Sequence, residues 1–184
     1  MKGINDIIDL AQGSDPTDLF AFHLSYDEFT YPNSYDIRNV TLLYNGNISQ
    51  AFWKTSNDNV LRQYNYNYDK LNRLTDAGYS KTGVSNTNSY GESLTYDKNG
   101  NIQSLQRSGE YDDLNYDMSI DDLTYVYDEN NRNQLTTVFD STNNPKGFKD
   151  DTDGLDINSD GVDYTYDANG NMIGDTNKGI TNIK

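Results

Sequence analysis

Residues 96–102 read YDKNGNI and residues 166–172 read YDANGNM. Each places Tyr-Asp before a turn-forming stretch, then an Asn and an apolar residue. Two looser versions are YDKLNRL at 68–74 and YDENNRNQL at 127–135. Gly100 and Gly170 supply a positive φ at no steric cost. Asp97 and Asp167, like Asp69 and Asp128 in the looser versions, are placed to accept bonds from turn amides. The tyrosines Tyr68, Tyr96, Tyr127 and Tyr166 each cover the side of a turn while the hydroxyl stays wet or finds a partner. Every part serves backbone geometry, and none requires catalysis.

Period-two patterning precedes each of these stretches. Tyr64, Tyr66 and Tyr68 share one strand face, as do Leu94 and Tyr96, then Leu123, Tyr125 and Tyr127, then Val162, Tyr164 and Tyr166. The next apolar residue is Leu74, Ile102, Leu135 or Met172, reached through Asn-rich residues. Each unit therefore reads as a β-hairpin: a strand ending in Tyr, a tight turn, and a strand opening on Leu, Ile or Met. Tyr44 to Ile48, through NGN, carries a two-residue hairpin signal.

Anchor tyrosines at 44, 68, 96, 127 and 166 are unequally spaced, so this is a repeat with loops of variable length. The long loops are expected at 76–92, 107–121 and 140–161. Residues 1–40 form a leader with one short helix over 5–12 and a strand within 18–29. Residues 41–184 form the hairpin array. The expected fold is all-β: consecutive antiparallel hairpins in an extended, twisted sheet or partial shell.

Composition agrees. The chain has 184 residues, with 29 acidic against 14 basic, 25 each of Asn and Asp, and 16 Tyr. So much Asn and Asp suits turns, and so much Tyr suits half-buried sheet faces. Few aliphatic residues remain for a three-layer α/β core. Low hydropathy would also fit disorder, but tyrosines spaced two apart argue against it. A net charge of −15 opposes nucleic acid and anionic membrane surfaces as partners. No apolar stretch is long enough for membrane insertion, and the N-terminus carries no signal-peptide core. The absence of cysteine removes disulfides and thiolate metal sites. An opening that reads like mid-domain sequence suggests a segment of something longer.

The four Tyr-Asp units, with YNGNISQAFWKT at 44–55 leading into them, resemble the YD repeat of the RHS/YD-repeat family of large bacterial surface and toxin-delivery proteins. The resemblance covers roughly residues 40–184. It implies hairpins joined edge to edge into a wall that, in full-length members, encloses or presents a C-terminal cargo, often a toxin. It also implies a secreted or cell-surface location, no enzymatic role for the repeats, and other YD repeats and the cargo domain as partners. With four units and no recognisable cargo region, this chain is expected to supply part of such a wall. Unpaired outer strands make self-association through sheet edges an accompanying expectation.

Two features point to ligands. DINSDGVDYTYD at 156–167 matches a calcium-loop pattern, with Asp156, Asn158, Asp160, the Val162 carbonyl and Asp167 as oxygen donors for Ca2+ around the turn at Gly161. Against it, position twelve is Asp rather than a bidentate Glu, position eight is Asp163, and Asp167 already belongs to a Tyr-Asp turn. The competing reading is a solvated acidic loop. Phe52 and Trp53, with the tyrosines, would offer a glycan-stacking surface, against which stands ordinary core packing. These give the alternative function, an extracellular carbohydrate- or calcium-binding β module. Catalytic signals are missing: His23 is the sole histidine, no G-x-S-x-G elbow exists, and no carboxylate pair stands out.

Overall fold

The Tyr-Asp hairpins form, and they sit among others the sequence did not announce. A computed structural model of the chain describes residues 2–10, 18–28, 41–84, 89–109, 118–142, 144–149 and 162–183. Among them are eleven strands: β1 (Gly3–Ile4), β2 (Phe20–Ser25), β3 (Gln50–Thr55), β4 (Arg62–Tyr68), β5 (Leu74–Lys81), β6 (Glu92–Tyr96), β7 (Ile102–Gly109), β8 (Met118–Tyr127), β9 (Leu135–Asp140), β10 (Tyr164–Tyr166) and β11 (Met172–Asp175). Strand order follows sequence order from β1 to β9, and β10 pairs with β11. The only helical element among the described residues is one 3-10 turn, Thr176–Lys178. The all-β architecture of consecutive antiparallel hairpins is the one expected. Two compact units result, Met1–Glu92 with Gly109–Met118, and Ser93–Ser108 with Ser119–Lys184.

In the first unit β2 pairs antiparallel with β3 over six residues, Phe20↔Thr55 to Ser25↔Gln50, and β4 pairs with β5 from Arg62↔Lys81 to Tyr68↔Leu74. The core is small: Ile7, Leu10, Ala21, Phe52 and Leu61. Much of what else is buried is polar. Gln50 and Gln63 are almost fully enclosed, and Gln50 Nε2 donates to Asn65 Oδ1 at 2.9 Å across the β3–β4 pair. A polar residue on a covered sheet face is tolerated when a cross-strand neighbour satisfies it.

The second unit packs Leu123, Val138 and Tyr164 against Leu105, Tyr125, Leu135, Phe148 and Tyr166. Buried aspartates complete it. Asp121 accepts from the Arg107 guanidinium and from the Phe148 amide. Asp140 accepts from the Asp122 and Thr142 amides. Asp163 accepts from the Val138 amide at 2.7 Å, and its own carbonyl receives the Thr176 amide. These carboxylates satisfy main-chain donors in places where no ladder partner exists.

Three expectations need correction. No helix forms over the described part of 5–12: Asn5 adopts a left-handed φ of 57°, and although the Asp6 carboxylate accepts the Ile8 and Asp9 amides as a helix N-cap would, no helical turn continues from them. No strand forms over 41–49, so YNGNI is a bend and not a hairpin. Its Asn47 amide bonds to the Asn45 side chain, and regular pairing begins only at Ser25↔Gln50. The loops expected at 76–92 and 107–121 are partly strand, because β5 runs to Lys81, β7 to Gly109, and β8 begins at Met118. Asp76, Gly78 and Ser80 join a sheet because Asn67, Asn65 and Gln63 opposite them supply the ladder. Register recruits residues that have little strand propensity of their own.

Candidate functional site

The turns that follow Tyr96-Asp97 and Tyr166-Asp167 are built the same way. In residues 97–101 the Asp97 amide donates to the Asn101 carbonyl at 2.9 Å, and the Gly100 amide donates to the Asp97 carbonyl. Asp97 Oδ1 accepts the Asn99 and Asn101 amides, each at 2.8 Å, and Oδ2 accepts Asn101 Nδ2 at 2.9 Å. Residues 167–171 repeat every one of these bonds, with Asn169, Gly170 and Asn171 in the equivalent places. Gly100 and Gly170 have φ of 97° and 83°. This is a three-residue hairpin loop whose last member is left-handed.

YDKLNRL reaches the same turn with other side chains. Asn72 takes the left-handed position at φ 64°, and Arg73 Nε replaces the asparagine amide on Asp69 Oδ2 at 2.7 Å. Asp69 Oδ1 accepts the Leu71 and Arg73 amides. The Asp128 turn is longer, as its spacing implied. Oδ1 holds the Asn130 and Asn131 amides, and the loop closes from the Asp128 amide to the Gln134 carbonyl.

The tyrosines do more than cover the turns. Tyr68 Oη donates to the Ile48 carbonyl at 3.0 Å, Tyr127 Oη to Ile102 at 2.8 Å, and Tyr166 Oη to Leu135 at 2.9 Å. In each case the acceptor belongs to the first apolar residue after the preceding turn. Tyr127 and Tyr166 are thus bolted to the previous hairpin's return strand. Even the irregular YNGNI bend keeps this acceptor in place. Turns are tied to turns as well: Asn45 Nδ2 donates to Asn72 Oδ1, and Asn101 Nδ2 donates to the Arg132 carbonyl and to Asn133 Oδ1.

Burial pushes the Tyr68, Tyr127 and Tyr166 hydroxyls above their ordinary pKa. The turn carboxylates move the other way. The side-chain bond from Asn171, then the turn amides, hold Asp167 below its ordinary 3.8. The Arg73 main-chain bond leads for Asp69. At Asp97, burial pushes the pKa up, but the Asn101, Asn99 and Gly100 bonds outweigh it. A lowered native pKa contributes stability that is present above the unfolded value and is lost as pH falls through the native one. Asp167→Ala should therefore be less stable than the parent at neutral pH, with the gap closing below about pH 4. Paired thermal melts from pH 7 to pH 2 test this, and a gap independent of pH would refute it.

An open groove of about 670 Å³ is lined by Asn99, Asn131, Arg132, Asn133, Gln134 and Gly170. Amides and one guanidinium line it, without a carboxylate, hydroxyl nucleophile or imidazole. His23 lies elsewhere, half-buried on β2, its pKa lowered chiefly by burial.

The two ligand candidates fare differently. Phe52 and Trp53 do not form one surface, because successive strand residues face opposite sides. Phe52 is buried in the apolar cluster at 2 % exposure. Trp53 is half-buried and stacks on Tyr64 at 5.7 Å between ring centres, and Tyr64 stacks on Tyr66 at 5.7 Å. Of the calcium candidates, Asp156, Asn158 and Asp160 lie outside the described residues. Val162 is exposed, and both Asp167 oxygens serve the turn. Among the described residues no three acidic or imidazole side chains converge to hold a metal ion. No described helix is long and apolar enough to cross a membrane.

Sequence reading missed Asp121, Asp140 and Asp163, since nothing separates them from the other aspartates until the fold encloses them. It also missed the exchange of Gly for Asn72 and of Asn for Arg73. Compared with models of protein families and with curated proteins, the chain matches none.

Proposed function

We propose that this chain is a structural repeat segment of the RHS/YD type, part of a β wall that encloses or presents cargo in a bacterial surface or secreted toxin-delivery protein. The observation that carries this reading is the repeated bolt: Tyr127 and Tyr166 each donate to the return strand of the hairpin before, and Tyr68 to Ile48 at the end of the YNGNI bend. Such a unit specifies its own turn and its attachment to the preceding unit, which is what an array of hairpins requires. The aspartates of the Tyr-Asp units, Asp69, Asp97, Asp128 and Asp167, are spent on turns, and the groove beside those turns has no group for acid–base or nucleophilic work. The product of this sequence is shape, its partners are further repeats and the cargo, and no cofactor takes part.

A wall built from neighbour contacts should respond locally. Tyr127→Phe removes one hydroxyl, costs about 1 kcal/mol, and should speed amide hydrogen exchange in β7 and β8 while leaving β3 and β4 unchanged. The second reading, a carbohydrate- or calcium-binding module, draws on the half-buried Trp53–Tyr64–Tyr66 row. It predicts that calcium or a glycan raises the melting temperature by several degrees through mass action. The scaffold reading predicts no shift with either. Uniform acceleration across all strands in Tyr127→Phe, or a ligand-induced rise, would displace it.

A further inference from the structure

The sequence holds three Asn-Gly pairs, Asn45-Gly46, Asn99-Gly100 and Asn169-Gly170. Glycine leaves the following main-chain nitrogen open to attack the asparagine side chain, so each pair is chemically suited to spontaneous amide loss. Two of the three are restrained. The Gly100 amide is engaged with the Asp97 carbonyl at 3.3 Å and the Gly170 amide with Asp167 at 3.0 Å. The Asp carboxylates further hold the Asn99 and Asn169 amides at 2.8 and 2.9 Å. Attack requires these turns to open.

We propose that Asn45 is a site of spontaneous deamidation in the folded protein. Among the described residues the Gly46 amide has no hydrogen-bond acceptor. Gly46 sits at φ 89°, with nothing within 4 Å of where a Cβ would stand, and Asn45 is exposed. Asn45 Oδ1 accepts the Asn47 amide at 3.0 Å, which draws electron density from Cγ. The Gly46 nitrogen bonds to Asn45 Cγ, the bond from Cγ to Nδ2 breaks, and ammonia leaves with the proton that the Gly46 nitrogen gave up. Water then opens the cyclic imide at either of its two C–N bonds, leaving an aspartate or an isoaspartate. No oxidant or reductant is needed.

The consequence is local. Asn45 Nδ2 is the donor that ties this bend to the next turn through Asn72 Oδ1 at 2.6 Å. After the reaction a carboxylate oxygen faces an amide oxygen, and the tie is lost. The site works as a slow, one-way release of the bend at 44–48 from the turn at 69–73.

The test is incubation of the full chain at mildly alkaline pH, folded and in urea, followed by peptide mapping that separates aspartate from isoaspartate. In the folded protein Asn45 should convert roughly tenfold faster than Asn99 or Asn169, the effect expected of one or two net turn hydrogen bonds. In urea the three rates should converge, and Asn45→Gln should silence that site alone. Equal rates at all three sites in the folded protein would overturn the proposal. So would an Asn45 that reacts in urea but stays intact when folded.

Discussion

Replacing Asp121 with alanine should lower stability by about 3 kcal/mol, among the largest losses open to a polar position in this protein. Asp121 is fully buried, and its two oxygens serve different elements. One holds Arg107 on β7, and the other holds the Phe148 amide in the segment after β9. Arg107 is partly exposed and can turn to water once its partner is gone. The Phe148 amide is part-buried, and losing its acceptor adds the cost of an unmet donor. For a protein of this length the melting temperature should fall by about 2–4 °C per kcal/mol, so by roughly 10 °C. Asp121→Asn keeps an acceptor for Phe148 and should recover part of the loss. Chemical denaturation of the parent and both variants decides it. An alanine variant within about 0.5 kcal/mol of the parent would mean that the carboxylate is ornamental.

Phe52→Ala should be at least as severe, at about 3–5 kcal/mol. The first unit has a small apolar cluster, and Phe52 is its largest member beside Ile7, Leu10, Ala21 and Leu61. Its neighbours on β3, Gln50 and Lys54, are also buried, so the collapsing site has polar walls that cannot refill the cavity. The adjacent Trp53 supplies the control. It is larger but half-buried on the other face, stacked on Tyr64, and Trp53→Phe keeps most of that contact. A melt in which Trp53→Phe costs more than Phe52→Ala would show that the aromatic face, and not the apolar cluster, holds this unit together.

The turns were the most legible part of the molecule, and the reason is physical. A three-residue loop with one left-handed position draws on Gly or Asn and an acidic neighbour, all within five consecutive residues. Local bonds therefore leave a local signature, as in YDKNGNI. Strand extents were less legible. Asp76, Gly78 and Ser80 carry no strand signal, and only the ladder offered by Asn67, Asn65 and Gln63 places them in a sheet. The helix expected near residue 5 does not form even though Asp6 accepts the Ile8 and Asp9 amides as an N-cap would, so a start signal and short apolar spacing were not enough to carry a helical turn. The Phe52–Trp53 pair shows a third kind of limit. Its aromatic character was plain, but the two faces of one strand lead to different environments.

Sequence alone determined that this protein bends back on itself at Asp69, Asp97, Asp128 and Asp167, because each bend is closed by atoms a few residues apart. Only the tertiary structure decided what the Tyr68, Tyr127 and Tyr166 hydroxyls hold. Their acceptors at Ile48, Ile102 and Leu135 lie 20 to 31 residues away, and no local pattern records a bond between groups so far apart in the sequence. The same holds for Asp121, Asp140 and Asp163. Burial makes an aspartate structural, and burial is a property of the assembled sheet.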